Sequence, residues 1–292
     1  ERFPTPVCWA FIVMLGMLNT ALILIIFGSG GRLSDVPEGP LPVPAVSQAT
    51  ADLIASRLPV GVNERVDRWI RRFVGQDREV FEGYLVREGL YGGMIRDRLR
   101  SRGMPEELIY LAMIESGFSA TATSSVSASG VWQFMGPTAR EYGLTVDYWV
   151  DERRDPVKST RAAARHLTGL YGEFGDWRLA TAAYNSGRGR VRRAIEKAGT
   201  DDFWRLDLPR ETRNYVPLLM AAAVIAKDPE RFGFEVLPVD EPITWDQVKL
   251  TELIDLKTAA RLLGIEGIGR LRKLNPELLN LFTPHRPKEG YL

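Results

Sequence analysis

A glutamate that closes an apolar helical run is the residue in this chain best placed to move a proton. Glu115 follows Leu108-Ile109-Tyr110-Leu111-Ala112-Met113-Ile114 and precedes Ser116-Gly117. On a helix, positions 108, 111, 112 and 115 share one face, so the carboxylate falls in line with side chains that a folded domain buries. A carboxylate held there is disfavoured as the anion. Its pKa rises and it can carry a proton at neutral pH, as a general acid must. The alternative is a helix-terminal glutamate whose head group reaches water.

Three further segments carry groups suited to a polar, uncharged ligand. Ser119 to Gly130 is small, hydroxyl-rich and without charge, and runs into Val131-Trp132-Gln133-Phe134-Met135. That composition predicts a loop, able to fold over a cleft beside Glu115 and to offer hydroxyls and an aromatic surface to a sugar. A flexible linker is the plainer reading. Asp176 is placed to cap a short helix, Trp177 to Tyr184, that ends in Asn185-Ser186-Gly187-Arg188-Gly189. Tyr184 and Asn185 then sit at a helix end, with glycine-permitted turns after them. Glu211-Thr212-Arg213-Asn214-Tyr215-Val216 comes early in a helix that Pro209 can start. Tyr215 taken singly reads as a core tyrosine.

In this order and at this spacing, the segments resemble the catalytic domain of the soluble lytic transglycosylases, a lysozyme-like family that cleaves bacterial peptidoglycan. The family's Glu-Ser motif is Glu115-Ser116, and its Gly-Leu-Met-Gln motif is Gly130-Val131-Trp132-Gln133. Ala-Tyr-Asn is Ala183-Tyr184-Asn185, and Glu-Thr-x-x-Tyr-Val is Glu211 to Val216. Four ordered motifs are far more specific than one short pattern. The chain is most similar to the membrane-bound murein transglycosylase D branch, in which a tryptophan often precedes the glutamine. The resemblance implies that Glu115 is the single acid and base and that the Tyr184 hydroxyl holds its carboxylate. It places Ser124 near the substrate's N-acetyl group, and Gln133, Met135, Asn185 and Tyr215 along the glycan cleft. His166 falls where relatives often carry an aromatic side chain; a histidine on the helix surface is the alternative.

Glycosidases usually need two carboxylates, and no second acid lies between Glu115 and Gln133. The next candidates, Glu141, Asp147, Asp151 and Glu152, sit in a charged segment that reads as solvated surface and helix caps. A lone acid suffices if the substrate supplies the nucleophile. The 2-acetamido oxygen of N-acetylmuramic acid can attack the anomeric carbon while Glu115 protonates the leaving oxygen. Glu115 can then take the proton of the sugar's C6 hydroxyl. The expectation is a lyase that cuts the β-1,4 bond between N-acetylmuramic acid and N-acetylglucosamine and leaves 1,6-anhydromuramoyl ends. An inactive peptidoglycan-binding scaffold and a hydrolytic lysozyme are the rivals.

The elements that position these residues are predicted to be mainly α-helical. Residues 103–235 form the catalytic domain, preceded at 61–102 by two accessory helices that break near Gly75. The first carries Val66, Trp69, Ile70 and Phe73, and the second Val80, Phe81, Tyr84 and Leu85. Asp155-Pro156 starts a helix that turns Ala163, Leu167, Leu170, Tyr171 and Phe174 to the core, and Leu218 to Ile225 forms another apolar segment. Residues 245–292 change character: a strand at Asp246 to Leu250 and short helices at Leu256 to Leu263 and Ile268 to Leu274 resemble a divergent, truncated LysM module. Its closing strand would only begin at Tyr291-Leu292.

At the start, Val7 to Phe27 is an uncharged run long enough for a bilayer. Residues 1–31 therefore read as a transmembrane signal anchor and 32–60 as a proline-rich tether, which the resemblance places outside the cytoplasm, in a bacterial periplasm. Cys8 lies at the front of the run, after Pro6-Val7, rather than at its end, unlike a lipobox cysteine. With 45% hydrophobic residues and 38 basic against 37 acidic side chains, the chain can build a core and is no general polyanion binder. Arg188, Arg190, Arg192 and Arg193 crowd one stretch, read as a solvated helix face or an attraction for anionic wall polymer rather than a nucleic-acid site. One cysteine and two distant histidines, His166 and His285, give no ligand spacing. No metal and no cofactor are expected.

Overall fold

The computed structural model describes residues 63–235, 239–245, 249–250, 252–265 and 267–285. The expected anchor and tether lie outside them. Among the described residues no helix is long and apolar enough to cross a membrane. The described chain is mainly helical: α1 (Glu64–Val74), α2 (Arg78–Arg100), α3 (Ile109–Ser116), α4 (Gly136–Glu141), α5 (Pro156–Phe174), α6 (Trp177–Ser186), α7 (Arg188–Ala198), α8 (Arg210–Lys227), α9 (Leu256–Leu262) and α10 (Gly269–Leu274). Among the described residues, the backbone between them pairs in isolated antiparallel bridges.

Local chemistry sets the ends of these helices. Asn63 caps α1 by accepting from the amides of Arg65 and Val66 at 3.0 and 3.1 Å, with Glu64 and Asp67 in the first turn and Arg71 and Arg72 in the last, in the sense the helix dipole favours. Asp155 caps α5 through the amides of Val157 and Lys158, both at 2.9 Å. Asp176 caps α6 through those of Arg178 and Leu179. The buried side of α2 runs through Phe81, Tyr91, Ile95 and Leu99. Val80, expected beside Phe81, is exposed, because consecutive helical positions point about 100° apart and the core claims only the next one.

α3 packs between α2 and α8, while α6 is held by α5, α7 and α8 and α1 lies along α8. Phe81, Phe118, Trp132, Trp177 and Phe203 are fully buried in the one large core, each stabilising it by roughly 1.5–3 kcal/mol. The short α3 is therefore enclosed on all sides except its C-terminal end, where Glu115 lies.

Beyond α8 the chain forms a small helical pair closed by backbone pairing. The Leu256 amide donates to Leu281 at 2.8 Å and that of Thr283 to Ile254 at 3.0 Å, flanking an Asp255–Phe282 bridge. Tyr291-Leu292, the expected start of a closing strand, lie outside the described residues, as do positions 246–248 of the expected first strand. Three paired residues are too few for a period-two pattern to register in sequence. This segment docks on the stretch between α4 and α5. Val150 bridges Leu278, the Leu279 amide donates to the Trp149 carbonyl at 3.0 Å and that of Asp151 to Glu277 at 2.9 Å, and Val150, Leu256 and Leu278 share a small core of their own.

Candidate active site

Glu115 lies in the last turn of α3, above Leu108, Leu111 and Ala112, all fully buried. The residue itself is only half-buried. Gly117 ends the helix at φ +55°, where a Cβ would come within 2.3 Å of the Tyr84 ring, so only glycine fits. Burial pushes the Glu115 carboxyl up to about 7. A hydrogen bond from Tyr215 pulls against that rise and the negative charge of Glu211 adds to it.

Beside the end of α3 runs the turn Gly130-Val131-Trp132-Gln133, fixed from two helices. Ser116 Oγ donates to the Val131 carbonyl at 2.8 Å, and Tyr184 Oη donates to the Trp132 carbonyl at 2.8 Å. Gly130, at φ +81°, passes so close to the Arg153 carbonyl that a Cβ would lie 1.8 Å from it. Among the described residues, the three non-glycines with positive φ, Phe118, Ser127 and Gln133, all fall in this region. Strain of this kind persists only where surrounding contacts over-determine the backbone, and it gathers at functional sites.

The six further expected site residues divide by what they touch. Gln133 turns its amide inward, Nε2 donating to Gly130 at 2.9 Å and Ala122 at 3.2 Å. Ser124 closes the loop before it, its Oγ accepting from the Ala128 amide at 3.0 Å. Met135 stands 43% exposed at the start of α4. Asn185 links α6 to the first turn of α8, donating to Glu211 at 3.2 Å and accepting from Thr212 at 2.9 Å. Tyr215 donates to Glu115 Oε1 at 2.5 Å. The tyrosine on the carboxylate is thus Tyr215 and not Tyr184, whose hydroxyl is already used on Trp132. Burial lifts both tyrosines well above their ordinary pKa, with the Glu115 charge adding to it, so both remain neutral donors.

Several groups differ from expectation. Trp132 is no exposed aromatic surface: it is fully buried, its indole N–H donating to Thr160 Oγ1 at 2.9 Å. Asp151 and Glu152 are not solvated. Asp151 grips Arg153 through two 2.8 Å bonds and Glu152 pairs with Lys158 at 2.8 Å, so both carboxylates are committed to the framework. Asp147 caps its own turn through the amides of Trp149 and Val150. The second carboxylate that Glu115 feels is Glu211, 96 positions away in sequence; its place in a motif was visible, its charge beside Glu115 was not. His166 is not a surface residue either. Its ring meets Tyr142 at 4.7 Å and Tyr184 at 5.2 Å edge-on, and burial, with Arg188 nearby, pushes its pKa down to about 4. Among the described residues, no group of three or more His, Cys, Asp or Glu side chains is arranged to hold a metal ion.

Residues 94–206 match the family model for the transglycosylase SLT domain. The chain is 35% identical over 229 residues to the membrane-bound lytic murein transglycosylase D of Escherichia coli K12, covering 76% of this chain and 50% of that protein. It is 32% identical over 194 residues to the peptidoglycan transglycosylase gp16 of phage T7, covering 64% of this chain and 13% of that one. It thus spans about half the length of the first of these curated relatives. Among solved structures, the lytic transglycosylase Slt of Pseudomonas aeruginosa matches 47% of this chain and 24% of its own at 28% identity, with a TM-score of 0.39.

Proposed function

We propose, from the match of residues 94–206 to the transglycosylase SLT family model, that this chain cleaves peptidoglycan glycan strands by a non-hydrolytic route with Glu115 as the only acid and base. The observation that carries the reading is the Glu115 carboxyl itself, raised to about 7 and bonded by Tyr215 beside a strained, doubly anchored turn. A group poised near neutral pH can give a proton and take one back.

In the first step the Glu115 proton passes to the glycosidic oxygen as the bond from that oxygen to C1 of N-acetylmuramic acid breaks, and the acetamido carbonyl oxygen of the same sugar bonds to C1. In the second, the Glu115 carboxylate takes the proton of the C6 hydroxyl and O6 displaces the acetamido oxygen from C1. The product is a 1,6-anhydromuramoyl end, Glu115 regains its proton, and no water is consumed. In this reading Ser124, Gln133, Met135 at the start of α4 and Tyr184 near the end of α6 are the substrate-binding residues. Asn185 is spoken for by Glu211 and Thr212, so its part is to hold α8, and with it Tyr215, in place.

Glu211 favours one second reading, hydrolysis by a carboxylate pair. Digestion of purified sacculi followed by mass spectrometry separates the two: anhydro ends support the lytic route, and reducing muramic ends replace it with a lysozyme. The rest of the reading places the chain outside the cytoplasm, tethered by Val7 to Phe27, with the C-terminal helical pair as a LysM-like module.

A further inference from the structure

The turn between α4 and α5 exposes two aromatic rings where the fold gains nothing by exposing them. Tyr148 is 74% and Trp149 36% accessible, their rings 5.4 Å apart and nearly perpendicular at 85°. The backbone beneath them is held at every point: Asp147 Oδ1 accepts from the amides of Trp149 and Val150 at 2.8 Å, the Asp147 amide donates to Val150, the Leu279 amide donates to Trp149, and Asn280 Nδ2 donates to the Tyr148 carbonyl at 2.8 Å. The C-terminal segment thus clamps the turn from below and leaves the rings facing out. Phe282, two residues past Asn280 and so within about 7 Å of it along an extended chain, is 41% exposed as well.

Outward aromatic rings on a hydrogen-bonded turn, with a hydroxyl and an indole N–H at their rims, form a surface for a ligand with apolar faces and polar edges. Fixing the backbone of the turn in advance lowers the ordering cost of binding. The turn is also continuous with the cleft wall, because Arg153, gripped by Asp151 at its base, donates to the carbonyls of Ser127 at 2.7 Å and Phe134 at 2.9 Å. A pyranose, with C–H faces and hydroxyl edges, matches this chemistry.

We propose that Tyr148 and Trp149, presented by the C-terminal segment, form a second glycan-binding surface outside the Glu115 cleft, which holds the wall polymer by stacking on its sugar rings. The proposal rests on the reading of the substrate as peptidoglycan, and its test is kept apart from cleavage. In a Glu115→Gln background, co-sedimentation with sacculi and with peptide-free glycan strands compares Tyr148→Leu, which keeps bulk but loses the ring, with Tyr148→Phe, which keeps the ring. The expected result is retention weakened roughly tenfold by Tyr148→Leu on both polymers and preserved by Tyr148→Phe, with cleavage of a short soluble glycan unchanged when Tyr148→Leu is placed in the otherwise native chain. Unaltered retention of Tyr148→Leu on peptide-free strands overturns the proposal, and so does an equal loss of cleavage on the short glycan, which would put the ring inside the cleft. Muropeptide release by the native chain tests the Glu115 reading separately.

Discussion

Tyr215 Oη donates to Glu115 Oε1 at 2.5 Å across a separation of 100 residues, and the bond acts against the burial that surrounds it. Desolvation drives the carboxyl toward its neutral form, whereas the hydroxyl favours the anion. The balance near 7 suits the proposed role of first giving a proton and then accepting one. Replacing Tyr215 by Phe removes the opposing force, so the Glu115 pKa rises further. The alkaline limb of the pH–rate profile is expected to move to higher pH, with the maximal rate down by roughly ten- to a hundredfold as the anion loses its partner. A limb that stays put in Tyr215→Phe would disconnect the two residues.

Glu115→Gln is expected to reduce muropeptide release by about a hundred- to ten-thousandfold while raising stability at alkaline pH. The carboxyl goes from 4.5 to about 7 on folding, so the native state keeps a proton that the unfolded chain has lost. That contribution is complete below pH 4.5 and vanishes as the pH climbs through 7, a span on the order of 3 kcal/mol. Above that range the native chain carries a buried charge that the glutamine variant lacks. Denaturant unfolding at pH 4 and pH 9 checks the sign: the variant matches the native chain at pH 4 and exceeds it at pH 9, and equal differences at both would refute the burial argument.

Glu211 distinguishes the lytic from the hydrolytic route. Its charge raises the Glu115 pKa, so Glu211→Gln, which keeps a carbonyl for Asn185, is expected to shift the alkaline limb to lower pH while anhydro ends remain the product. Loss of nearly all turnover in this variant, with the fold intact by circular dichroism, would make Glu211 a direct participant.

How much of this was legible in the sequence depended on range. Asp155, Asp176 and Pro209 marked helix starts because capping is a contact over two or three residues, and the apolar face under Glu115 followed from helical spacing alone. The charged stretch was read correctly at Asp147, exposed and capping its own turn, but not at Asp151 and Glu152, because composition cannot tell a solvated carboxylate from one gripped by Arg153 or Lys158. Tyr184 and Tyr215 were both marked by motif, yet which hydroxyl reaches Glu115 depends on how α6 and α8 lie against α3, a matter of tertiary packing. His166 carried no local signal of burial, since the rings that enclose it come from Phe134, Tyr142 and Tyr184.

The Asp151–Arg153 pair offers a test of the wall itself. Arg153 is buried and makes four contacts that matter, two to Asp151 and one each to the carbonyls of Ser127 and Phe134. Asp151→Ala leaves a guanidinium buried without its counter-charge, which costs about 3–5 kcal/mol, whereas Asp151→Ala combined with Arg153→Met removes the stranded charge and should recover part of that loss. Activity is not expected to return with stability, because the double variant still lacks the donors that hold Ser127 and Phe134. Chemical denaturation and sacculus digestion on both variants read the two effects separately. Recovery of stability and turnover together would show that Arg153 serves the fold alone and leaves the cleft wall to hold itself.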